Sequence, residues 1–231
     1  YLFFPQVRKA VADKVDSIGL LTGNGHEIVD SEEEADAIVI NTCCFIHDAK
    51  EESVNTILEM AEYKKTGPCK ILIVTGCMAQ RYKEEITEEI PEVDAVLGTT
   101  SYGDIVKALN EAEAGHVFQE FKDINALPED SGRRVITTGG HFGYLKIAEG
   151  CDKHCTYCII PSLRGKFRSV PEERLLKQAE YMASQGVREL ILVAQETTVY
   201  GTDLYGKKTL HILLKKLCQI KGIRWIRVLY C

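Results

Sequence analysis

Three cysteines in one short segment could bind a metal centre together: Cys151, Cys155 and Cys158. Their CxxxCxxC spacing brings three thiols into a single loop, and thiolates are ligands that iron and zinc prefer. A closed structural site normally takes four protein ligands, whereas a site that must bind something else keeps one position open. Three cysteines are therefore typical of a 4Fe–4S cluster in which one iron has no protein ligand.

Spacing by itself leaves two other interpretations of this segment open. A tetrahedral zinc site would need a fourth ligand, and His154 is the nearby candidate. The three thiols could also form a loop that binds no metal, because paired cysteines in intracellular proteins often serve redox chemistry.

A second candidate site consists of Cys43 and Cys77, which each follow a segment typical of a buried strand. Residues 37–42 and 70–75 are continuous β-favouring runs, and a helical pattern follows each of them. Open parallel sheets bind ligands outside the carboxyl ends of their strands. If the two strands are neighbours, the two sulfurs could share one centre. Otherwise each cysteine is a small buried residue, which is common.

The elements that would position these two cysteines alternate between strand and helix, which predicts an open parallel α/β sheet. The predicted strands and helices in this part of the chain are, in order, residues 37–42, 48–61, 70–75, 80–90, 95–98 and 102–112. We therefore predict an amino-terminal α/β domain at residues 1–114 and a turn-rich linker at residues 115–140.

The remainder, residues 141–231, also alternates between strand and helix and places the CxxxCxxC loop directly after its first strand. The predicted elements are strands at 144–147, 189–194 and 225–230 and helices at 171–185 and 210–218. This order predicts the first half of a β/α barrel, because three such units cannot close one. Cys218 lies on the apolar face of the last helix, so we expect it to pack in the core.

Composition favours a globular protein and argues against nucleic-acid-binding, membrane and secreted proteins. The 231 residues are 45% hydrophobic and 27% charged, which is typical of a globular chain with a substantial core. The net charge of −6 argues against a large nucleic-acid surface and is compatible with a basic protein partner. No apolar run approaches membrane-spanning length and no secretion signal is visible. Nine cysteines is an odd number and nothing points to secretion, so we expect a reducing, cytoplasmic compartment in which metal binding explains the thiols better than disulfides do.

Several segments, in order, resemble the radical S-adenosylmethionine (SAM) methylthiotransferases. The CxxxCxxC loop has an aromatic residue, Tyr157, before its last cysteine, and the flanking sequence of residues 144–165 matches as well. Residues 41–46 and 75–82 are similar to the amino-terminal domain of that family. Residues 194–201 and 225–231 are similar to the branch that modifies a ribosomal protein.

The resemblance implies two 4Fe–4S clusters and SAM as cofactors. Cys151, Cys155 and Cys158 would hold the radical cluster, whose free iron binds SAM; one-electron reduction then gives a 5′-deoxyadenosyl radical that abstracts a substrate hydrogen. Cys43 and Cys77 would hold an auxiliary cluster that presents the sulfur to be inserted. The implied partners are an electron donor and the twelfth protein of the small ribosomal subunit, which is modified on the β-carbon of an aspartate.

Two alternatives to this function are kept. The related tRNA (adenosine) methylthiotransferases share the cysteine segments but usually have asparagine and valine within residues 195–200, and the acidic charge also argues against tRNA. The alternative of another class is a non-catalytic zinc-binding module.

Further side chains receive roles from the same resemblance. Tyr157 would pack on the cofactor, unless it is an ordinary core residue. Gln195 and Glu196 would contact the amino-acid moiety of SAM, unless they make structural hydrogen bonds. Arg164 and Arg168 would bind a substrate carboxylate, unless they are solvated.

One departure from the family concerns the auxiliary site. The family has a third cysteine near the amino terminus, and this chain has Ala10 at the aligned position. Cys44 could substitute, although adjacent residues rarely point at one centre. The other explanation, which we prefer, is that the first segment of this chain is misassigned or altered.

Overall fold

The computed structural model describes residues 2–3, 11–127, 135–136 and 140–231. The chain forms two compact units, Tyr1–Val135 and Ile136–Cys231. In the described ranges, no helix is both long enough and apolar enough to cross a membrane.

The first unit contains a five-stranded parallel sheet with the strand order β1-β2-β3-β4-β5. Its strands are β1 (Leu2–Phe3), β2 (Ala37–Thr42), β3 (Ile71–Gly76), β4 (Ala95–Leu97) and β5 (Phe118–Glu120). Every residue of β2, β3 and β4 is buried. This burial explains their continuous apolar sequence, because a parallel sheet has both faces covered.

Helices connect these strands and complete the core. They are α1 (Val11–Gly23), α2 (His47–Thr66), α3 (Cys77–Arg81), α4 (Lys83–Glu89) and α5 (Ile105–Glu113). Helices α1 and α5 pack together, α5 also contacts β3, β4 and β5, and α2 contacts β2 and β3. The apolar cluster that joins α1, α5 and the sheet contains Ile18, Leu21, Val39, Ile73, Leu97, Ile105 and Leu109.

The second unit contains a parallel sheet of three strands and a short antiparallel pair. Its strands are β6 (Phe142–Lys146), β7 (Ala148–Glu149), β8 (Arg168–Ser169), β9 (Glu189–Val193) and β10 (Trp225–Val228), and its helices are α6 (Ile160–Arg164), α7 (Glu172–Ser184), α8 (Thr202–Tyr205) and α9 (Leu210–Leu217). The parallel order is β10-β9-β6, and β7 pairs with β8. Three consecutive parallel strands with intervening helices match the predicted partial β/α barrel.

The start and the buried face of helix α7, which connects β8 to β9, follow from its sequence. It begins directly after Pro171, and proline is favoured at the start of a helix because the first helical residues need no N–H partner. Glu172 and Glu173 in the first turn interact favourably with the positive end of the helix dipole. Its buried residues recur at helical spacing and are Leu175, Ala179, Met182 and Ala183.

Part of the segment predicted as a linker is ordered in the first sheet. Strand β5 continues the sheet beyond β4, with the Phe118 N–H donating to Asp94 O at 2.9 Å and the Gly98 N–H donating to Glu120 O at 2.9 Å. A strand of three residues is too short to show alternation in the sequence, so this extension was not predicted.

Two smaller predictions about helices were also wrong. Cys218 is exposed rather than packed in the core. Leu213 and Leu217 take the buried positions of α9, and a residue directly after Leu217 points about 100° away from that face. The single helix predicted for residues 80–90 is interrupted at Tyr82, whose non-helical ψ of 37° separates α3 from α4.

Candidate metal and cofactor sites

Cys43 and Cys77 leave the first sheet at the same edge. Thr42 of β2 is paired with Gly76 of β3, so the cysteine that follows each of them lies at the carboxyl end of neighbouring parallel strands. Both thiols are buried. The two strands are therefore neighbours, which is the condition under which the two sulfurs could share one centre.

Gly76 allows the chain to turn directly from β3 into α3. Its φ of +98° lies in the region that side chains disfavour, and an added Cβ would lie 2.5 Å from both Asn41 Oδ1 and Thr42 O. Only glycine fits this close approach of the two strands. As a result, α3 begins directly after Gly76, with Cys77 as its first residue.

Hydrogen bonds fix the backbone around Cys43. The Cys43 N–H donates to Ser53 Oγ at 3.1 Å, and the Ser53 hydroxyl lies 2.8 Å from Cys43 O and 2.8 Å from Ala49 O. The Thr42 hydroxyl donates to Thr75 O at 2.6 Å across the strand pair. These contacts tie the cysteine to α2 and to the neighbouring strand at once.

Cys44 lies close enough to the other two thiols to interact with them electrostatically. Burial, with a smaller contribution from the negative charge of Cys77, raises the pKa of the Cys44 thiol to about 12, against the opposing charge and hydrogen bond of Arg81. The structure thus brings Cys43, Cys44 and Cys77 to one edge. Ala10, the position where the family has its third cysteine, lies outside the described residues.

The CxxxCxxC loop connects β7 to α6, and hydrogen bonds hold its start against the segment that follows α6. The Cys151 N–H donates to Gly165 O at 3.2 Å, and the Phe167 N–H donates to Asp152 Oδ1 at 2.9 Å. Gly150 has a φ of +73°, and an added Cβ there would lie 2.1 Å from Lys166 O. The close approach of the start of the loop to the segment after α6 therefore depends on glycine at position 150.

The three thiols of this loop differ in exposure. Cys151 is buried, Cys158 is half-buried and Cys155 is exposed. The Cys158 N–H donates to Cys155 O at 3.0 Å, which folds the second half of the loop into a turn. Two of the three thiols are therefore reachable from solvent, which suits the binding of a cluster near the surface of this unit.

Lys153 of the loop forms an ion pair with Glu196 at the carboxyl end of β9. The Thr198 hydroxyl and the Thr198 N–H also donate to Glu196. The Lys153 ammonium, with Thr198, lowers the pKa of the Glu196 carboxyl below its ordinary value, and Glu196 in turn raises the pKa of Lys153. The structure therefore brings together two segments that the sequence predicted for one site.

Gln195 precedes Glu196 in the sequence, and its side-chain oxygen is a second potential acceptor at this site. Its Oε1 atom is buried and, among the residues that the structure describes, has no hydrogen-bond partner. A buried carbonyl oxygen without a donor is costly, so such an atom is expected to receive one from a ligand or from water. The missing partner argues against the alternative that Gln195 Oε1 makes a structural hydrogen bond within the described part of the chain.

In the part of the chain that it describes, the structure does not bring all of the predicted metal ligands into one binding arrangement. Within the described ranges, no three His, Cys, Asp or Glu side chains are arranged so that they could hold a metal ion together. The ligand sets of both sites therefore stay predictions. Tyr157 is 90% exposed, which excludes core packing as its role and leaves contact with the cofactor as a prediction.

Arg164 is neither solvated nor available for a substrate carboxylate. It is buried and pairs with Glu149 at 3.3 Å, and Lys146 pairs with the same Glu149 oxygen. The Arg168 guanidinium donates to Arg164 O at 3.0 Å. Sequence analysis missed Glu149, although a glutamate between apolar residues just before the cysteine loop was a signal for a buried pair.

The fold and these sites can be compared with known protein families. A family described as "Uncharacterized protein family UPF0004" matches residues 8–98, and the "Radical SAM superfamily" matches residues 145–230. The two matches separate the chain into the same two parts as the structure does.

Curated relatives match nearly the whole chain. The "Ribosomal protein uS12 methylthiotransferase RimO" of Lachnoclostridium phytofermentans is 62% identical over 96% of this chain and 51% of its own length. The proteins of the same name from Clostridium botulinum strain Eklund 17B and Clostridioides difficile are 52% and 50% identical, over 95% and 96% of this chain and 50% of each relative. The chain thus spans about half the length of the curated relatives it matches.

Solved structures confirm the fold. The radical SAM methyltransferase TsrM from Kitasatospora setae aligns with a TM-score of 0.61 at 11% identity, over 97% of this chain and 53% of that chain. The cobalamin-dependent SAM radical enzyme OxsB aligns with a TM-score of 0.54 at 16% identity, over 97% of this chain and 37% of that chain. At these identities the likeness concerns the fold.

Proposed function

We propose that the chain belongs to the RimO-type family of radical SAM methylthiotransferases, whose proteins it matches at 50–62% identity, and that it is part of an enzyme that inserts a methylthio group into ribosomal protein uS12. The target is the β-carbon of an aspartate. The observation that carries this proposal is the contact between the CxxxCxxC loop and the Gln195–Glu196 stretch, made through the Lys153–Glu196 ion pair. This contact unites a cluster-binding loop with a site suited to SAM.

The donor set of the second unit fits a radical 4Fe–4S cluster. Cys151, Cys155 and Cys158 would supply three thiolates and would leave one iron for the cofactor. When bound, the cluster and SAM supply a carbon radical by one-electron reduction, with the electron coming from a donor protein. The chain contributes the loop geometry: Gly150 and the Cys151–Gly165 hydrogen bond hold the start of the loop against the segment that follows α6.

Gln195 and Glu196 fit the amino-acid moiety of SAM. Glu196 is held in its ionised form, and Gln195 Oε1 is a buried acceptor without a donor among the described residues. Both oxygens are hydrogen-bond acceptors and suit the N–H donors of that moiety. Tyr157, in the neighbouring loop, is exposed and available to pack on the cofactor.

The thiols of the first unit fit an auxiliary 4Fe–4S cluster, which gives two clusters in total. Cys43 and Cys77 leave paired strands at one edge, and Cys44 is the third thiol there. Cluster iron would have to displace the Cys44 proton, whose pKa burial raises to about 12. Cys43 and Cys77 are therefore the primary ligands in this proposal, and Cys44 is the candidate for the third position.

The substrate distinguishes this function from that of the tRNA-modifying branch. The chain has a net charge of −6, which suits a basic ribosomal protein better than a polyanion. The relatives described above are named for uS12.

A direct test supplies the anaerobically reconstituted chain with SAM, a sulfur source and a chemical reductant. Purified uS12 and unmodified tRNA are offered in separate reactions, and products are measured by mass spectrometry. We expect the mass gain of one methylthio group on a uS12 peptide that contains the aspartate. Modification of tRNA without modification of uS12 would overturn the proposed substrate, and zinc in place of iron would overturn the enzyme assignment.

A further inference from the structure

Helix α3, which begins with Cys77, is a short element. It contains five residues, Cys77–Arg81, and ends where Tyr82 leaves the helical conformation. A helix of this length is not stable by itself, so its orientation depends on the contacts that it makes with the rest of the unit. The contacts of α3 therefore determine where the Cys77 thiol lies.

Hydrogen bonds hold α3 from both of the strands that flank β3 in the sheet. On the side of β2, the Ala79 N–H donates to the Thr42 hydroxyl oxygen at 3.4 Å. On the side of β4, the Gln80 side-chain oxygen Oε1 accepts from the Thr99 N–H at 3.1 Å and from the Thr99 hydroxyl at 3.4 Å. Thr99 is buried and follows β4 closely, so this oxygen joins the helix to the carboxyl end of a strand.

Gly98 makes room for the Gln80 side chain. A Cβ added at Gly98 would lie 2.4 Å from Gln80 Oε1, which is closer than Cβ atoms approach other atoms in proteins. Gly98 is not among the glycines with a positive φ, so glycine is needed here for space and not for backbone conformation. The Gly98 N–H donates to Glu120 O at 2.9 Å. The Gln80 oxygen is therefore received by backbone that the sheet itself holds in place.

We propose that Gln80 is a positioning residue for Cys77: by tying α3 to Thr99, it holds the Cys77 thiolate where it binds the auxiliary cluster. Gln80 lies three residues after Cys77 on the same helix, so a rotation or shift of α3 that breaks the bonds to Thr99 also moves the thiol. Residues that orient a metal ligand without touching the metal commonly change metal affinity or activity by about 10- to 100-fold. This inference rests on the proposed function, because it assumes the auxiliary cluster at Cys43 and Cys77.

The test uses a reconstituted parent chain with Cys151, Cys155 and Cys158 replaced by alanine, so that the bound iron is that of the auxiliary cluster. Release of iron to a chelator under anaerobic conditions is followed by absorbance. We expect Gln80→Ala to speed the release by about tenfold. Gln80→Glu keeps an oxygen acceptor for the Thr99 N–H and should restore a rate close to that of the parent chain.

The matched control is Thr100→Val. The Thr100 hydroxyl donates to Lys122 O at 3.2 Å, so this variant loses a hydrogen bond of the same connection after β4 that does not involve α3. It should leave the rate of iron release unchanged. A loss of stability without a change in α3 is thereby separated from a loss of positioning.

Gly98→Ala tests the same contact from the other side. It keeps Gln80 but fills the space of its oxygen, and this flexible side chain can move away without disrupting the backbone. Iron release should be faster, as in Gln80→Ala, and combining the two substitutions should add little, because both remove one contact. Gly98→Ala also carries the test if Gln80→Ala binds too little iron to assay.

The inference and the auxiliary cluster fail on different results. Release at the parent rate from Gln80→Ala or Gly98→Ala, equal acceleration by Thr100→Val, or no rescue by Gln80→Glu would each overturn the inference and leave the auxiliary cluster standing. An absence of iron from the parent chain would overturn the auxiliary cluster, and the inference with it.

Discussion

Thr42 and Gly76 are paired residues on neighbouring parallel strands, and each immediately precedes a buried cysteine. The register of β2 and β3 therefore determines that Cys43 and Cys77 emerge side by side. A shift of this register by one residue would move one thiol to the opposite face of the sheet. The auxiliary site is consequently a property of strand pairing more than of any loop.

Gly76→Ala should damage this site. The added Cβ would lie 2.5 Å from backbone and side-chain atoms of β2, in a backbone conformation that disfavours side chains. We expect a loss of about 1–3 kcal/mol in the free energy of unfolding, measured by urea denaturation, together with lower iron content. Gly103→Ala is the matched control, because a Cβ at Gly103 meets nothing within 4 Å. Equal stability of the two variants would contradict this account of Gly76.

Arg164→Met should strongly destabilise the second unit. Arg164 is buried and pairs with the buried Glu149, so its removal weakens the neutralisation of a carboxylate next to the cysteine loop. Breaking a buried pair costs about 3–5 kcal/mol, although Lys146 also contacts Glu149 and will reduce that cost. The urea midpoint is the measurement.

The control for this prediction is Arg227→Met. Arg227 pairs with Glu189 at 2.8 Å, but its side chain is 55% exposed. An exposed pair contributes about 0–1 kcal/mol. A similar loss of stability in both variants would show that burial of Arg164 does not matter.

Ser53→Ala should loosen the backbone around Cys43. The Cys43 N–H donates to Ser53 Oγ at 3.1 Å in a buried position, and alanine would leave that N–H without its acceptor. An unsatisfied buried group costs about 1–3 kcal/mol, which thermal unfolding would detect. Thr87→Ala, whose hydroxyl bonds lie on the exposed side of α4, is the control and should cost much less.

Glu196 should make stability depend on pH in the acid range. Its pKa is lowered in the folded chain by Lys153 and Thr198, so the folded state favours the ionised form more than the unfolded state does. The resulting stability is complete above the ordinary glutamate pKa of about 4.3 and is lost as the pH falls through the lowered value. Glu196→Gln should flatten the acid limb of stability against pH. An unchanged acid limb would show that Glu196 is not stabilised in its ionised form.

The sequence predicted those features that follow from local pattern. The apolar runs at β2 and β3 identified both strands to within one residue, and the cysteine positions after them predicted the shared edge. The Lys153–Glu196 and Glu149–Arg164 pairs could not be predicted, because residues 43 and 15 positions apart are brought together by tertiary structure and leave no periodic signal. Cys218 was misassigned because a helical face has a gradual boundary, at which one residue decides between core and solvent.

The most direct test of the central claim is the iron and sulfide content of anaerobically reconstituted chains with different cysteines removed. Replacing Cys151, Cys155 and Cys158 with alanine should remove one cluster of about four iron atoms and leave the other. Replacing Cys43 and Cys77 should do the reverse, and Cys218→Ala, which removes an exposed cysteine, should change nothing. The account predicts that the first two losses add to nearly all bound iron. Iron that is unchanged when Cys151, Cys155 and Cys158 are all replaced would contradict it.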